Sequence, residues 1–132
     1  MIDDDTPGPR RKGIWRSLTD RLTKSSDELE DADLMADSER LGGTPICDLP
    51  DRERATVCGS VRSVTLRPKV DVPALVVELY DGSRPLHLVW LGRRQIVGIE
   101  PGVFLQASGR VSYYRGTPTI FNPSYEIVPQ RG

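Results

Sequence analysis

The first part of the chain has its apolar residues at helical spacing. From residue 14 they recur every four residues, which would place them along one face of a short helix. These residues are Ile14, Leu18 and Leu22. A second helical stretch opens at Ser25, which forms a capping box with Glu28, and runs through Glu39 to a turn at Gly42-Gly43. Because both apolar faces are narrow, we expect these helices to need a partner surface.

Beyond residue 50 the apolar period changes to two, which predicts β-strands. The first strand spans residues 55–66. Val57 and Val61 share one face of this strand, whereas Val64 falls on the opposite parity. This phase slip lies close to Gly59, a glycine in the strand interior. We therefore predict one long strand with a bulge or a sharp bend.

The next segment predicts a β-hairpin followed by a connector. A second strand over residues 73–80 is joined by the turn Asp81-Gly82-Ser83 to a third strand over residues 85–91. Residues 92–102 contain three glycines and a proline, which favours a connector or a single helical turn.

A second hairpin closes the pattern. The fourth strand covers residues 103–114, the turn is Arg115-Gly116-Thr117, and the fifth strand covers residues 119–128. The fifth strand is interrupted at Asn122-Pro123, because a proline is confined to edge or bulged positions of a sheet. Five strands in this order predict an all-β protein with the OB fold, a five-stranded Greek-key barrel.

The predicted domain occupies residues 44–128. Residues 1–43 form an N-terminal extension, disordered at its start and helical afterwards, and residues 129–132 form a short tail. A chain of 132 residues holds one ordinary domain.

Charge is unevenly divided along the chain. The net charge is −1, but residues 1–50 carry −5 and residues 51–132 carry +4. A weakly basic second half is compatible with phosphate binding. The sequence has no apolar stretch long enough to span a membrane and no secretory signal, so we expect a cytoplasmic protein.

Catalytic and metal-binding patterns are weak. Cys47 and Cys58 fit neither a CxxC pair nor a zinc-ligand set, and His87 is the only histidine. No serine or cysteine lies in a recognisable nucleophile motif. Asp3-Asp4-Asp5 is best interpreted as a solvated acidic tail. We expect no catalysis, no metal and no cofactor.

Several motifs in the second half resemble a known family. They are Trp90-Leu91-Gly92-Arg93-Arg94, Gly98-Ile99-Glu100-Pro101-Gly102, Gly109-Arg110-Val111 and Asn122-Pro123-Ser124-Tyr125-Glu126. Over residues 44–128 they are similar to a small actinobacterial family of OB-fold nucleic-acid-binding proteins, and more distantly to the wedge OB domain of the branched-DNA helicase RecG. The resemblance implies binding of single-stranded or branched nucleic acid, with DNA favoured and RNA possible. Nothing in the chain matches a P-loop, so no motor accompanies the domain.

OB domains receive single strands across their second and third strands and the adjoining loops. The candidate nucleic-acid-binding residues are Arg62, Arg67, Lys69, His87, Arg93, Arg94, Arg110, Tyr114 and Arg115. Tyr114 is the best stacking candidate, because its parity is opposite to that of the core residues and a cation follows it. The other aromatic candidates are Tyr80, Tyr113, Phe121 and Tyr125. For Tyr125, packing against the barrel end is the commoner role.

Two other functions remain open. The first is a protein-interaction adaptor that uses the barrel or the N-terminal helices, because OB folds also serve as adaptors and the basic excess is modest. An enzyme is a distant third. The sequence favours a non-catalytic nucleic-acid binder.

Overall fold

The computed structural model describes residues 26–68 and 72–129. Within this part of the chain, residues 26–40 form the helix α1, which confirms most of the second predicted helix. A short 3-10 turn follows at Ile46–Asp48. The strands are β1 (Arg54–Arg67), β2 (Ala74–Tyr80), β3 (Pro85–Leu91), β4 (Phe104–Tyr114), β5 (Thr117–Phe121) and β6 (Ser124–Val128). The first predicted helix, Ser25 and the candidate Lys69 lie outside the described residues.

The first strand is long, as predicted, and it is shared between two partner strands. Its first half, up to Ser60, pairs with β4, and its second half pairs with β2. The register shifts between Val61 and Ser63, which confirms the bulge. Gly59 sits where the strands approach closely: a Cβ atom there would lie 2.6 Å from the carbonyl oxygen of Tyr80. A side chain at this position would therefore separate β1 from β2.

Five strands close into a ring. The strand order is β1-β2-β3-β5-β4-β6, and β4 also pairs with β1. The β3–β5 pairing is parallel, and the other pairings are antiparallel. A ring with this order is consistent with an OB-like all-β fold.

The predicted fifth strand is divided into β5 and β6. Both follow the same edge of β4, but between the Val111–Ile120 and Ser108–Ser124 partners the outer strand has one residue more than β4. The break is at Asn122, whose φ is 49°, and at the following proline, which has no N–H to donate. Asn122 also ties the break to β3: its N–H donates to the Val89 carbonyl at 2.6 Å, and its Oδ1 accepts the Leu91 N–H at 2.9 Å. The interruption was predicted, but not this anchor.

The core lies inside the ring and follows the predicted alternation. The buried inward residues of β2, β3 and β4 are Leu75, Val77, Leu79, Leu86, Leu88, Trp90, Leu105, Ala107 and Val111. Trp90 packs edge to face against Tyr125, with ring centres 5.6 Å apart. Tyr125 therefore packs against the barrel, as the sequence favoured for it.

Asp81 anchors the segment that precedes β1. Its buried carboxylate accepts the Ile46 N–H at 2.8 Å, and it accepts both the N–H and the hydroxyl of Ser83, at 2.9 and 2.6 Å. These bonds fix the 3-10 turn to the β2–β3 hairpin, and the Ile46 side chain is fully buried there.

The larger of two compact units in the chain is Asp33–Gly132. Within the larger unit the end of α1 is joined to β1: the Gly43 N–H donates to the Ser38 carbonyl at 3.0 Å, and the Thr44 N–H donates to the Thr56 carbonyl at 2.8 Å. The domain boundary at residues 43 and 44 stays a prediction.

In the described part of the chain, no helix has the length and apolar character needed to cross a membrane.

Candidate nucleic-acid interface

The outward side chains of β2, β3 and β5 form one continuous surface, which we call the outer face. Residues directly opposite one another on paired strands point to the same side of a sheet. Glu78 of β2 lies opposite His87 of β3, and His87 lies opposite Thr119 of β5. The neighbouring outward row is Val76, Val89 and Phe121. The outer face therefore carries a polar row, centred on the candidate His87 and buried at Thr119, beside an apolar row.

The apolar row is accessible mainly at its β5 end. Val76 and Val89 form a small buried cluster with Ala74, separate from the main core. Phe121 is 49% exposed. Phe121 is therefore the accessible ring on this face, and it remains a stacking candidate.

The turn between β4 and β5 holds two of the predicted residues together. Tyr114 is 63% exposed, and the guanidinium carbon of Arg115 lies 5.5 Å from the centre of its ring. The φ angles of Arg115 and Gly116 are 51° and 83°, which are typical of a two-residue type I′ hairpin turn. The first position of such a turn favours Asn, Asp or Gly, and arginine is unfavourable in this conformation. The turn thus presents a ring and a cation from a strained position.

The β2–β3 hairpin supports this turn through a residue that sequence analysis missed. The Arg84 guanidinium donates to the Gly116 carbonyl, and its central carbon lies 5.7 Å from the Tyr113 ring centre. The Tyr113 hydroxyl donates to the Leu49 carbonyl at 2.7 Å. Arg84 therefore joins Tyr114 and Arg115 as a third candidate residue at this end of the sheet, whereas Tyr113 acts in packing.

Arg62 lies at the bulge of β1. Its guanidinium carbon is 4.3 Å from the ring centre of Tyr80, the last residue of β2. The Tyr80 hydroxyl donates to the Gly82 carbonyl at 3.2 Å. Tyr80 is half-buried, with Arg62 over one side of its ring, so it is less suited to base stacking than the more exposed Tyr114.

Three other predicted arginines lie at the opposite end of the strands. Arg67 ends β1 opposite Ala74, and Ala74 lies opposite Leu91, the last residue of β3. Arg93 and Arg94 follow Leu91 closely and are exposed. Positive charge therefore flanks the outer face at two ends: these arginines at one, and Arg84 and Arg115 at the other.

A cavity of about 380 Å³ opens beside Arg94. Its wall includes the apolar side chains of Val64, Leu75, Ile96 and Ile99. Val97 also borders it and is 87% exposed. This second surface also carries the polar side chains of Gln95 and Glu100, and it lies in the connector, away from the β4–β5 turn.

Arg110 projects from β4, where it is exposed and lies directly opposite Arg54 of β1. The structure thus brings Tyr114 and Arg115 together, but it places Arg62 and Arg110 at separate positions. Arg54 and Arg84 were missed, because their neighbours depend on pairing between strands distant in the sequence.

The two cysteines differ in accessibility. Cys47 is exposed, and Cys58 is fully buried. Burial, and then the nearby charge of Asp81, raise the pKa of the Cys58 thiol above its ordinary value. Among the described residues, no group of three or more His, Cys, Asp or Glu side chains converges to form a metal site.

Comparison with known proteins gives a similarity of fold but no family. No family model matches the chain, and no curated protein matches it. Among solved structures, the fold is similar to a structure of RecG bound to a three-way DNA junction, with a TM-score of 0.52 and 23% sequence identity. The match covers 67% of this chain and only 13% of the RecG chain. The similarity confirms the resemblance to RecG at the level of the fold. The resemblance to an actinobacterial family stays a prediction.

Proposed function

We propose that this protein is an OB-fold domain, with the five-stranded ring as its Greek-key barrel, that binds single-stranded or branched nucleic acid without catalysis. The observation that carries the proposal is the β4–β5 turn, where exposed Tyr114 lies beside Arg115 in a strained backbone conformation. Strained residues persist where the surrounding structure holds them, and they cluster at binding sites. A ring with an adjacent cation offers stacking for a base and charge for its phosphate.

Two further observations support this ligand class. The outer face has arginines at both ends and an accessible ring at Phe121, so a strand crossing it would meet charge before and after the bases. The RecG structure with a similar fold is bound to a three-way DNA junction, which favours branched DNA among the possible ligands.

Fluorescence anisotropy of the full chain tests the proposal. The ligands are labelled single-stranded DNA, RNA of the same sequence and a forked duplex, each at low salt. We expect the Tyr114→Ala variant to lose about 1–3 kcal/mol of binding free energy per stacked base, whereas Tyr114→Phe keeps the ring and most of the affinity.

The matched charge control is Arg40→Ala, because Arg40 is exposed on α1 and pairs with Asp37. Arg115→Ala should weaken binding and make its salt dependence shallower, while Arg40→Ala should not weaken it. Equal affinity of the wild type, Tyr114→Ala and Arg115→Ala would refute a binding site at the turn.

A protein-docking role is the second candidate, and the exposed Val97 beside the connector cavity favours it. A neutral Val97→Ser variant, which adds no charge beside Arg93 and Arg94, tests whether nucleic acid binds at the turn or at the connector. If nucleic acid binds at the turn, this variant should give unchanged anisotropy curves. A loss of nucleic-acid affinity would instead show that the nucleic acid binds at the connector.

A further inference from the structure

Two arginines face each other across the β1–β4 pairing. Arg54 of β1 and Arg110 of β4 are direct cross-strand partners, and both are exposed. Side chains at such positions project from the same face, with Cβ atoms about 4.5–5.5 Å apart. Ala107 and Val111 are buried, so the even-numbered residues between and beside them, including Arg110, point outward. We call Arg54 and Arg110 the arginine pair.

The arginine pair has no acidic partner among the described residues. No hydrogen bond or ion pair joins either side chain to another group there. The nearby Asp51 accepts the Tyr113 N–H at 3.2 Å and lies 3.9 Å from Arg52. Glu53 precedes Arg54 and therefore has the opposite strand parity. Like charges directly opposite one another destabilise a sheet, so an anion between the arginines would relieve their repulsion.

Hydroxyl groups continue the same surface along the strands. The next outward partners are Thr56 and Ser108, whose hydroxyl oxygens are 2.8 Å apart. On the other side of Arg110, the next outward residue of β4 is Ser112, which lies opposite Thr119 of the outer face. Arginine and hydroxyl side chains are common donors to phosphate oxygens. The surface around the arginine pair therefore fits a phosphodiester backbone.

This surface is continuous with the β4–β5 turn. Arg110, Ser112 and Tyr114 are successive outward residues of β4, and four residues of a strand span about 14 Å. We propose that the arginine pair binds a backbone phosphate of the nucleic-acid strand that contacts Tyr114 and Arg115. This inference rests on the proposed function and adds a phosphate site on β1 and β4, with Arg54 as a new contact.

Thermal unfolding with tripolyphosphate tests the phosphate site without nucleic acid. We expect tripolyphosphate to raise the Tm of the wild type and of the charge-matched control Arg40→Ala. The increase should be much smaller in Arg54→Ala and Arg110→Ala, and Arg110→Lys should restore part of it. Without the anion, both alanine variants should unfold at the wild-type temperature or above it, because one of two repelling charges is gone. An equal increase of Tm in all variants would overturn the proposal.

Oligonucleotide length tests the continuity of the surface. The two ligands are a dinucleotide, whose single phosphate is too short to reach from the turn to the arginine pair, and a single strand of about 16 nucleotides, the upper site size of OB folds. The double variant Arg54→Ala/Arg110→Ala should lose one phosphate contact with the long strand, so its salt slope should be shallower than that of the wild type by about 0.7. Between 50 and 200 mM salt, the affinity of the wild type should therefore fall by roughly 2.5-fold more than the affinity of the double variant. The dinucleotide, bound at the turn, should show equal slopes.

Equal slopes with the long strand would contradict the proposed path. A wild type that binds neither strand, yet is stabilised by tripolyphosphate only with the arginine pair intact, would refute the proposed function and still support the phosphate site.

Discussion

The backbone conformation of Arg115 destabilises the protein, whereas its side chain has a proposed role in binding. Two substitutions at this position separate the effect on stability from the effect on binding. Its φ of 51° is unfavourable for arginine, and its guanidinium lies against Tyr114. Arg115→Ala removes the side chain and keeps the backbone strain. Arg115→Asn also removes the charge and the ring contact, but asparagine adopts the left-handed conformation far more readily.

The difference between these two variants isolates the backbone term. A left-handed conformation costs an ordinary residue about 1–2 kcal/mol, so Arg115→Asn should be more stable than Arg115→Ala by about 1 kcal/mol. For a domain of this size, that difference corresponds to a Tm difference of about 4–8 °C. Both variants lose the cation–π contact, worth about 0.5–1 kcal/mol at an exposed site. The wild type should therefore be close in stability to Arg115→Asn.

Urea unfolding and anisotropy on the same preparations give the two readouts. Both variants should bind nucleic acid equally weakly, with salt slopes shallower by about 0.7 than that of the wild type, although their stabilities differ. Equal stability of the two variants would show that the turn does not strain residue 115. Wild-type affinity in Arg115→Asn would show that the charge does not contact the ligand.

Three more predictions concern the scaffold. Gly59→Ala should destabilise the protein by about 1–3 kcal/mol, since its Cβ would meet the Tyr80 carbonyl oxygen at 2.6 Å; an unchanged urea midpoint would contradict this close approach. Asp81→Ala should cost about 1–3 kcal/mol in the same assay, because it leaves a buried N–H of Ile46 without its acceptor; a neutral effect would refute the anchor. At mildly alkaline pH, a thiol reagent should label one cysteine in the native protein, Cys47, and two in urea, because Cys58 is buried and its pKa is raised; rapid labelling of both native cysteines would contradict the burial.

The strands could be predicted because their signals are local. Alternating apolar residues define β2, β3 and β4, and turn residues such as Gly82 and Gly116 mark the hairpins. The slip between Val61 and Val64 revealed the bulge of β1, since side-chain parity changes wherever an extra residue enters a strand. The OB-like ring follows from these elements and the break at Pro123.

The candidate site was only partly predictable, since its contacts depend on strand register. Tyr114 and Arg115 are adjacent in sequence, so their contact could be expected. By contrast, Arg54 meets Arg110 only because β1 pairs with β4 in one register, and Arg84 reaches Gly116 only because β3 lies beside β5. No local pattern indicates such pairs.

The central claim is that nucleic acid binds on the outer face and at the β4–β5 turn. The most direct test is an NMR titration of the isotope-labelled full chain with single-stranded DNA of about 16 nucleotides at low salt. We predict the largest amide shift changes at Tyr114, Arg115 and Phe121, with smaller changes near Arg110. Changes confined to the connector around Val97, or no changes at all, would contradict the account.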